Sequence, residues 1–330
     1  MKIAVFSTQS YDKEYLDKFK ENLELTYYEA ALNTSTVSLT EEYDVVCAFV
    51  NDKLDKETIQ SLAQNGVKAI AMRCAGYNNV DLEAAAKNNL KVMNVPAYSP
   101  HAIAEHAVAL ILTLNRKTHK AYNRVREGNF SLQNLTGFDL FNKTVGVVGT
   151  GEIGAIFCKI MLGFGCKVLA FDMVESDDLK KAGVQFAPME AIIKQSDIIS
   201  LHCPLTPQTF HLFDEKAFSI IKKGAMLINT SRGAVIDTSA AIEALKSKQL
   251  GYLGIDVYEQ EDKIFFKDLS ESVIQDEQIQ RLISFPNVLI TSHQGFFTKE
   301  ALDQIAITTL KNINDFASGS QIENEVKYDR

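Results

Sequence analysis

Cysteine is scarce and ungrouped in this chain. There are five, at positions 47, 74, 158, 166 and 203, and no two form a C-x-x-C pair. That excludes a disulfide-built scaffold and paired-cysteine metal sites, and it fits a reduced, cytoplasmic setting in which thiols serve as small buried hydrophobes. Long apolar runs are missing too. The most apolar helical stretch, Ala107–Leu114, falls far short of the roughly 20 residues that cross a bilayer. The opening Met-Lys-Ile-Ala-Val-Phe-Ser-Thr turns polar too soon for a secretory signal and reads as a buried strand. Nor is there an excess of positive charge: 34 Lys and Arg stand against 42 Asp and Glu, a net charge of −8. This argues against nucleic acid or an anionic membrane as the main partner. Internal repeats and low-complexity tracts are absent as well.

What is present is an ordinary soluble composition, 46% hydrophobic and 23% charged over 330 residues, enough for two domains. The first hundred residues alternate strand and helix. Strands are expected at Ile3–Phe6, Tyr43–Phe49, Val67–Met72 and Lys91–Val95, and helices at Asp12–Asn22, Asp55–Asn65 and Asp81–Asn88. Ser99 and Pro100 then form an N-cap and first helical position, opening a helix predicted from His101 to about Val125. Such a length suits a helix that bridges domains or packs against a second copy of the chain. Alternation resumes with strands at Ser196–Cys203, Ala225–Asn229, Gly251–Val257 and Asn287–Thr291, a helix at Ser239–Ser247, and a last helix after Thr298 to about Ser318. Repeated βα units with short connections predict a doubly wound parallel sheet. Residues 262–285 interrupt this pattern and read as a charged, aromatic loop, and the polar tail from Gly319 reads as loosely held.

The densest signal lies at residues 144–154. Val145, Val147 and Val148 make an apolar, β-branched strand that ends in Gly149-Thr-Gly151-Glu-Ile-Gly154, a G-x-G-x-x-G turn opening into a helix. Gly149 makes the tight turn, Gly151 lets the backbone approach a pyrophosphate, and Gly154 lets the helix pack on the strand. The helix N-terminus offers unpaired N–H groups to the phosphates. A second strand ends in Asp172, eighteen residues past Gly154. That is close to the spacing expected of the carboxylate that binds an adenosine ribose, and it favours NAD over NADP. Cys203, beside this motif, is the thiol to consider for reactivity. Glu152 is an acid within the phosphate turn, positioned either to repel phosphate slightly or to face solvent.

Nicotinamide chemistry on a small acid needs a proton carrier and a cation. Arg232, Glu261 and His293 each fall just beyond one of three successive strands, where doubly wound folds place their sites. A guanidinium clamps a carboxylate and polarises a carbonyl. An imidazole passes a proton, and a neighbouring carboxylate favours its donor form. His101, His106, His119 and His211 read as surface or structural residues, and His202 as packed within a strand.

With these residues in hand, the chain resembles the D-specific 2-hydroxyacid dehydrogenases over essentially its whole length, and within them the bacterial lactate group. The resemblance rests on Arg73–Leu82, Val95–His106, Gly149–Gly154, His202–Thr206, Asn229–Ala234, Asp256–Glu259 and the region of His293. It implies an α/β protein of two Rossmann-like or flavodoxin-like parallel-sheet domains separated by an active-site cleft. The substrate domain would be 1–100 plus 297–330, and the NAD-binding Rossmann domain 101–296. Arg232, Glu261 and His293 match the family's catalytic arginine, glutamate and histidine. Substrate contacts are implied for Ala75 and Gly76 through their N–H groups, for Tyr98, and for Phe49 and Phe296 as pocket walls. Cofactor contacts are implied for Gly149, Gly151, Glu152, Ile153, Gly154, Asp172, Cys203, Pro204, Thr209, Thr230, Ser231, Arg232 and Asp256, the last toward the nicotinamide carboxamide. No metal is implied. The long helix corresponds to the family's dimer-forming element, so a homodimer or homotetramer is expected. The activity implied is NADH-dependent reduction of pyruvate to D-lactate. A bulkier 2-oxo acid, or a NAD-sensing binding protein, is the alternative.

Overall fold

The computed structural model describes residues 1–328. The chain divides into two compact units, Met1–Ser99 with Phe297–Arg330, and Pro100–Phe296. Each is built on a parallel sheet, as the strand–helix alternation implies.

In the first unit β1 (Lys2–Val5), α1 (Ser10–Phe19), β2 (Glu24–Tyr27), β3 (Val45–Ala48), α2 (Lys56–Gln64), β4 (Ala69–Met72), α3 (Leu82–Lys87) and β5 (Lys91–Met93) follow in turn. The strands pair in the order β2-β1-β3-β4-β5, all parallel. The central β3 and β4, Val-Val-Cys-Ala and Ala-Ile-Ala-Met, are buried along their whole length, as strands covered on both faces must be. Asp55 and Asp81 cap the next two helices by accepting the N–H groups of Thr58 and Ala84. The alternation misses β2, because this Glu-Leu-Thr-Tyr edge strand is only half buried and carries no continuous apolar run.

The second unit opens with α4 (Pro100–Arg116) and α5 (Thr118–Arg126), where one unbroken helix is expected from the sequence. Lys117 breaks it by turning left-handed, at φ 50°. The cause is tertiary. The Asn115 side chain, only 2% exposed as a residue, donates to the Phe138 carbonyl and accepts the Phe138 N–H, both at 2.7 Å. Lys117 Nζ donates to the carbonyls of Asn134 and Thr136. The returning segment therefore holds the side chains of Asn115 and Lys117 at the point where the helix breaks.

Next come β6 (Thr144–Val148), α6 (Glu152–Gly163), β7 (Lys167–Phe171), α7 (Asp177–Lys181), β8 (Gln185–Phe186), α8 (Met189–Gln195), β9 (Ile198–Leu201), α9 (Glu215–Ile220), β10 (Ala225–Asn229), α10 (Thr238–Lys246), β11 (Leu250–Ile255), α11 (Glu277–Ser284) and β12 (Val288–Ile290). Their parallel sheet runs β12-β11-β10-β9-β6-β7-β8. Strand order reverses around β6, which puts the glycine turn at the switch point where such sheets bind ligands. Residues 262–285 are not wholly loop. A 3₁₀ turn at Glu261–Lys263 opens them, and α11 closes them, capped by Asp276 and anchored in the core by Ile279 and Leu282.

The chain then returns to the first unit as α12 (Lys299–Ser318), capped by Thr298. Ala306, Leu310 and Ile313 pack there with Ile3, Val5, Val45 and Ala69. As far as Tyr328 the tail is not loose. Asn94 N–H donates to the Asn324 carbonyl at 3.2 Å, Val326 N–H to that of Val92 at 2.8 Å, and Lys91 pairs with Glu325 at 2.6 Å. It occupies the open edge of β5, whose backbone groups would otherwise lack a strand partner. Among the described residues all five cysteines are free and buried, and no helix is long and apolar enough to cross a membrane.

Candidate active site

The three sequence-predicted chemical residues stand beyond three neighbouring strands whose ends are in register, Asn229 beside Ile255 and Ile255 beside Ile290. His293 lies three residues past β12, at φ 52°, with its N–H donated to the Asp256 carbonyl at 2.7 Å. Its Nδ1 pairs with Glu261 Oε1 at 2.9 Å, the side chains being 21% and 19% exposed. The other carboxylate oxygen, Oε2, accepts the Tyr258 N–H at 2.8 Å, which fixes the acid as firmly as the ring. Nε2 of His293 is thus the ring nitrogen that Glu261 leaves unengaged. Arg232 follows a turn folded by fully buried Asn229. Asn229 Oδ1 accepts from Ser231 N and Oγ, and its Nδ2 donates to the Arg232 carbonyl at 2.9 Å. The guanidinium folds back, Nη1 donating to the Ser231 carbonyl at 2.7 Å. Among the described residues Arg232 makes no hydrogen bond to Glu261 or His293.

Asp256, 2% exposed, organises the loop that carries His293. Its Oδ1 accepts Thr291 Oγ1 at 2.5 Å and Gln294 N–H at 2.9 Å, and its Oδ2 accepts Gly295 N–H at 2.8 Å. His106 Nε2 lies 3.0 Å from Thr291 Oγ1 and 3.3 Å from Asp256 Oδ1. Burial pushes the Asp256 carboxyl up, but the bonds from His106, Thr291 and Gln294 outweigh it and hold the group below its ordinary range. Neither Thr291 nor His106 was singled out by sequence. A hydroxyl at the end of β12, just before His293, is a signal that could have flagged Thr291. His106 comes from α4 and only the tertiary fold brings it here.

The glycine turn has the shape its motif demands. Gly149 sits at φ 90°, and a Cβ there would lie 2.7 Å from Cys203 N. A Cβ on Gly154 would lie 2.0 Å from the Gly149 carbonyl oxygen. At Gly151, by contrast, a Cβ would meet nothing within 4 Å, so open space lies over the start of α6 where N–H groups are exposed. Glu152 is exposed and Ile153 half-buried in that first turn. Asp172 Oδ2 accepts Thr150 N–H at 2.5 Å and Thr150 Oγ1 at 3.0 Å. Burial raises its pKa, but backbone bonds from Thr150 and Val174 prevail and keep it ionised below the usual range. Among the described residues Thr230 Oγ1 is buried without a partner, an acceptor and donor that a bound group would satisfy. Pro204 is exposed, and its carbonyl accepts Thr209 Oγ1 at 2.6 Å; Ser231 belongs to the Asn229 turn. Open space, exposed N–H groups and an orphaned hydroxyl fit a dinucleotide. Cys203 does not suit a reactive role: it is buried against Gly149, and burial pushes its thiol up to about 11.

The remaining candidates belong to the first unit, apart from Phe296. Phe49 is buried just past β3, its ring centre 4.8 Å from the Arg73 guanidinium, and its N–H is held by Asp52 at 2.6 Å. Arg73 is fully buried between Asp12, at 3.0 Å, and the Ser7 carbonyl, at 2.7 Å. Beyond it Ala75 and Gly76 are half-buried. The carbonyl of Ala75 accepts Asn94 Nδ2 and that of Gly76 the Cys74 thiol, while no acceptor among the described residues takes either N–H. Tyr98 is half-buried; Phe296, buried, ends the second unit.

Comparison with known proteins places the whole chain in one family. The family model described as "D-isomer specific 2-hydroxyacid dehydrogenase, NAD binding domain" matches residues 108–295. The "2-hydroxyacid dehydrogenase homolog 1" of Schizosaccharomyces pombe is 54% identical over 321 residues, covering 96% of this chain and 97% of that protein. The D-lactate dehydrogenase of Escherichia coli K12 is 49% identical over 328 residues, covering 99% and 100%. The solved structure of the pyruvate reductase of Chlamydomonas reinhardtii superposes with a TM-score of 0.94 at 42% identity, covering 98% of each chain.

Proposed function

The chain belongs to the D-isomer specific 2-hydroxyacid dehydrogenases, an NAD-binding family, and on that premise we propose that it reduces pyruvate to D-lactate with NADH, reversibly. One observation carries the chemistry: Glu261 fixes Nδ1 of His293 at 2.9 Å and leaves Nε2 for the substrate. Bound NADH supplies the hydride. His293 gives its Nε2 proton to the oxygen that becomes the alkoxide, and Glu261 keeps the ring in the orientation and tautomer this transfer needs. Arg232, of which only Nη1 is engaged among the described residues, binds the carboxylate and polarises the keto group. The unengaged N–H groups of Ala75 and Gly76 are assigned to the same carboxylate, and Tyr98, Phe49 and Phe296 to the substrate's surroundings. Asp256 Oδ2, which accepts one N–H, keeps a lone pair for the nicotinamide carboxamide. Ile153, Thr209, Thr230 and Ser231 complete the cofactor contacts.

We also assign the chain to the cytoplasm and to a homo-oligomer paired through α4 and α5. Among the described residues α5 buries none of its own side chains and exposes Tyr122 and Val125, with Phe130 and Leu132 just beyond.

Absorbance of NADH with pyruvate, 2-oxobutyrate, oxaloacetate, hydroxypyruvate and phenylpyruvate, with chiral analysis of the product, tests the reaction. Fastest turnover on pyruvate yielding D-lactate supports it. A larger acid as best substrate keeps the mechanism and discards pyruvate. NADH binding without turnover on any acid favours a binding protein.

A further inference from the structure

We propose that Phe266 is a specificity-determining wall of the substrate site, and that residues 262–276 serve to hold it against His293. This inference rests on the reaction proposed above. The Phe266 ring centre lies 6.1 Å from that of the His293 imidazole, the planes inclined at 35°. Both residues have left-handed backbones, at φ 63° and 52°. For a bulky side chain that conformation is unfavourable, and it persists only where the surroundings impose it.

The surroundings here are specific. The Glu261 carbonyl accepts the N–H groups of Ile264 and Phe265 at 2.9 and 2.8 Å, closing the turn from which Phe266 projects. Phe265, 5% exposed, plugs the core beside it. The carboxylate of the same Glu261 holds His293. One residue therefore places both rings, one through its backbone and the other through its side chain. The far end of the segment is fastened too. Asp276 accepts the Tyr258 hydroxyl on both oxygens at 2.9 Å, and Tyr258 donates its N–H to Glu261. A surface excursion would need none of these ties.

The reaction geometry gives the ring its task. Proton transfer brings the substrate oxygen within about 3 Å of His293 Nε2. A phenyl ring 6.1 Å from the imidazole centre is close enough to border the reacting carbon or its substituent. An apolar wall there accepts a short uncharged substituent, crowds a large one, and penalises a charged one that must shed water. The substrate class is therefore 2-oxo acids with a small apolar side chain.

The test compares the unaltered protein with Phe266→Ala and Phe266→Leu, measuring kcat and KM on pyruvate, 2-oxobutyrate, oxaloacetate and phenylpyruvate, with NADH affinity and thermal midpoint alongside. Phe266→Ala is expected to raise the phenylpyruvate-to-pyruvate ratio of kcat/KM about tenfold or more. Phe266→Leu should stay near the unaltered ratio, with NADH affinity unchanged in both and a lower midpoint only in Phe266→Ala, which loses the ring's packing on the core. Unchanged ratios in Phe266→Ala overturn the inference. So does a uniform fall on all four acids together with a lower midpoint, which is the mark of a structural role. If the unaltered protein reduces no 2-oxo acid, the reaction itself fails and the inference falls with it. If it does reduce them, only the role of Phe266 is at stake.

Discussion

Glu261 Oε1 holds His293 Nδ1 at 2.9 Å while Oε2 of the same carboxylate is pinned by a backbone N–H, so ring and acid form one rigid unit. Glu261→Gln keeps the shape and removes the charge. Turnover should fall about 100-fold, in the range of one positioned proton-transfer group, with NADH affinity unchanged. His293→Gln should cost more, and the double variant no more than His293→Gln alone, because the two act together. Single-turnover rates with titrated NADH decide this; additive losses would separate the pair.

The two helix-side glycines should fail in different ways. A methyl on Gly154 would press within 2.0 Å of the Gly149 carbonyl, so Gly154→Ala should lower the thermal midpoint. A methyl on Gly151 meets no protein atom within 4 Å, so Gly151→Ala should keep its midpoint and weaken NADH binding about tenfold or more, about 1.4 kcal/mol. Differential scanning and NADH fluorescence titration separate the two outcomes.

Cofactor choice should follow Asp172. Met173 and Val174, 90% and 78% exposed, and then Glu175 follow it, and none of them offers a cation to a 2′-phosphate. NADH should exceed NADPH in kcat/KM by about tenfold or more, and Asp172→Ala should narrow the gap. A native preference for NADPH would refute the assignment.

Acid stability should depend on His202, whose ring packs on Phe157 with Nε2 2.9 Å from Ser200 Oγ. Burial pushes it down to about 3. The unfolded chain therefore takes up a proton near pH 6.5 that the folded chain refuses until about 3. Stability is lost as pH falls through that window, at up to about 1.4 kcal/mol per pH unit from this group. Urea unfolding at pH 7, 5 and 4 should show a shallower loss for His202→Gln than for the unaltered chain.

Sequence alone was enough for whatever is local. Buried strands announced themselves as apolar β-branched runs, so β10 fell at Ala225–Asn229 as expected, and α12 was bounded by its Thr298 cap and by Gly319. The glycine spacing and the acid just past β7 marked an expected nucleotide site, because each residue there would act through its own backbone or charge. Strand ends pointed to Arg232, Glu261 and His293, since a parallel sheet puts all its carboxyl ends on one edge. Tertiary structure decided what depends on partners distant in sequence. Phe138 ends α4 at Lys117, and β5 orders the tail. His106 reaches Asp256 across 150 positions, and burial pushes the Cys203 thiol up to about 11. In each case the deciding energy is a hydrogen bond or a desolvation cost that exists only once the chain has folded.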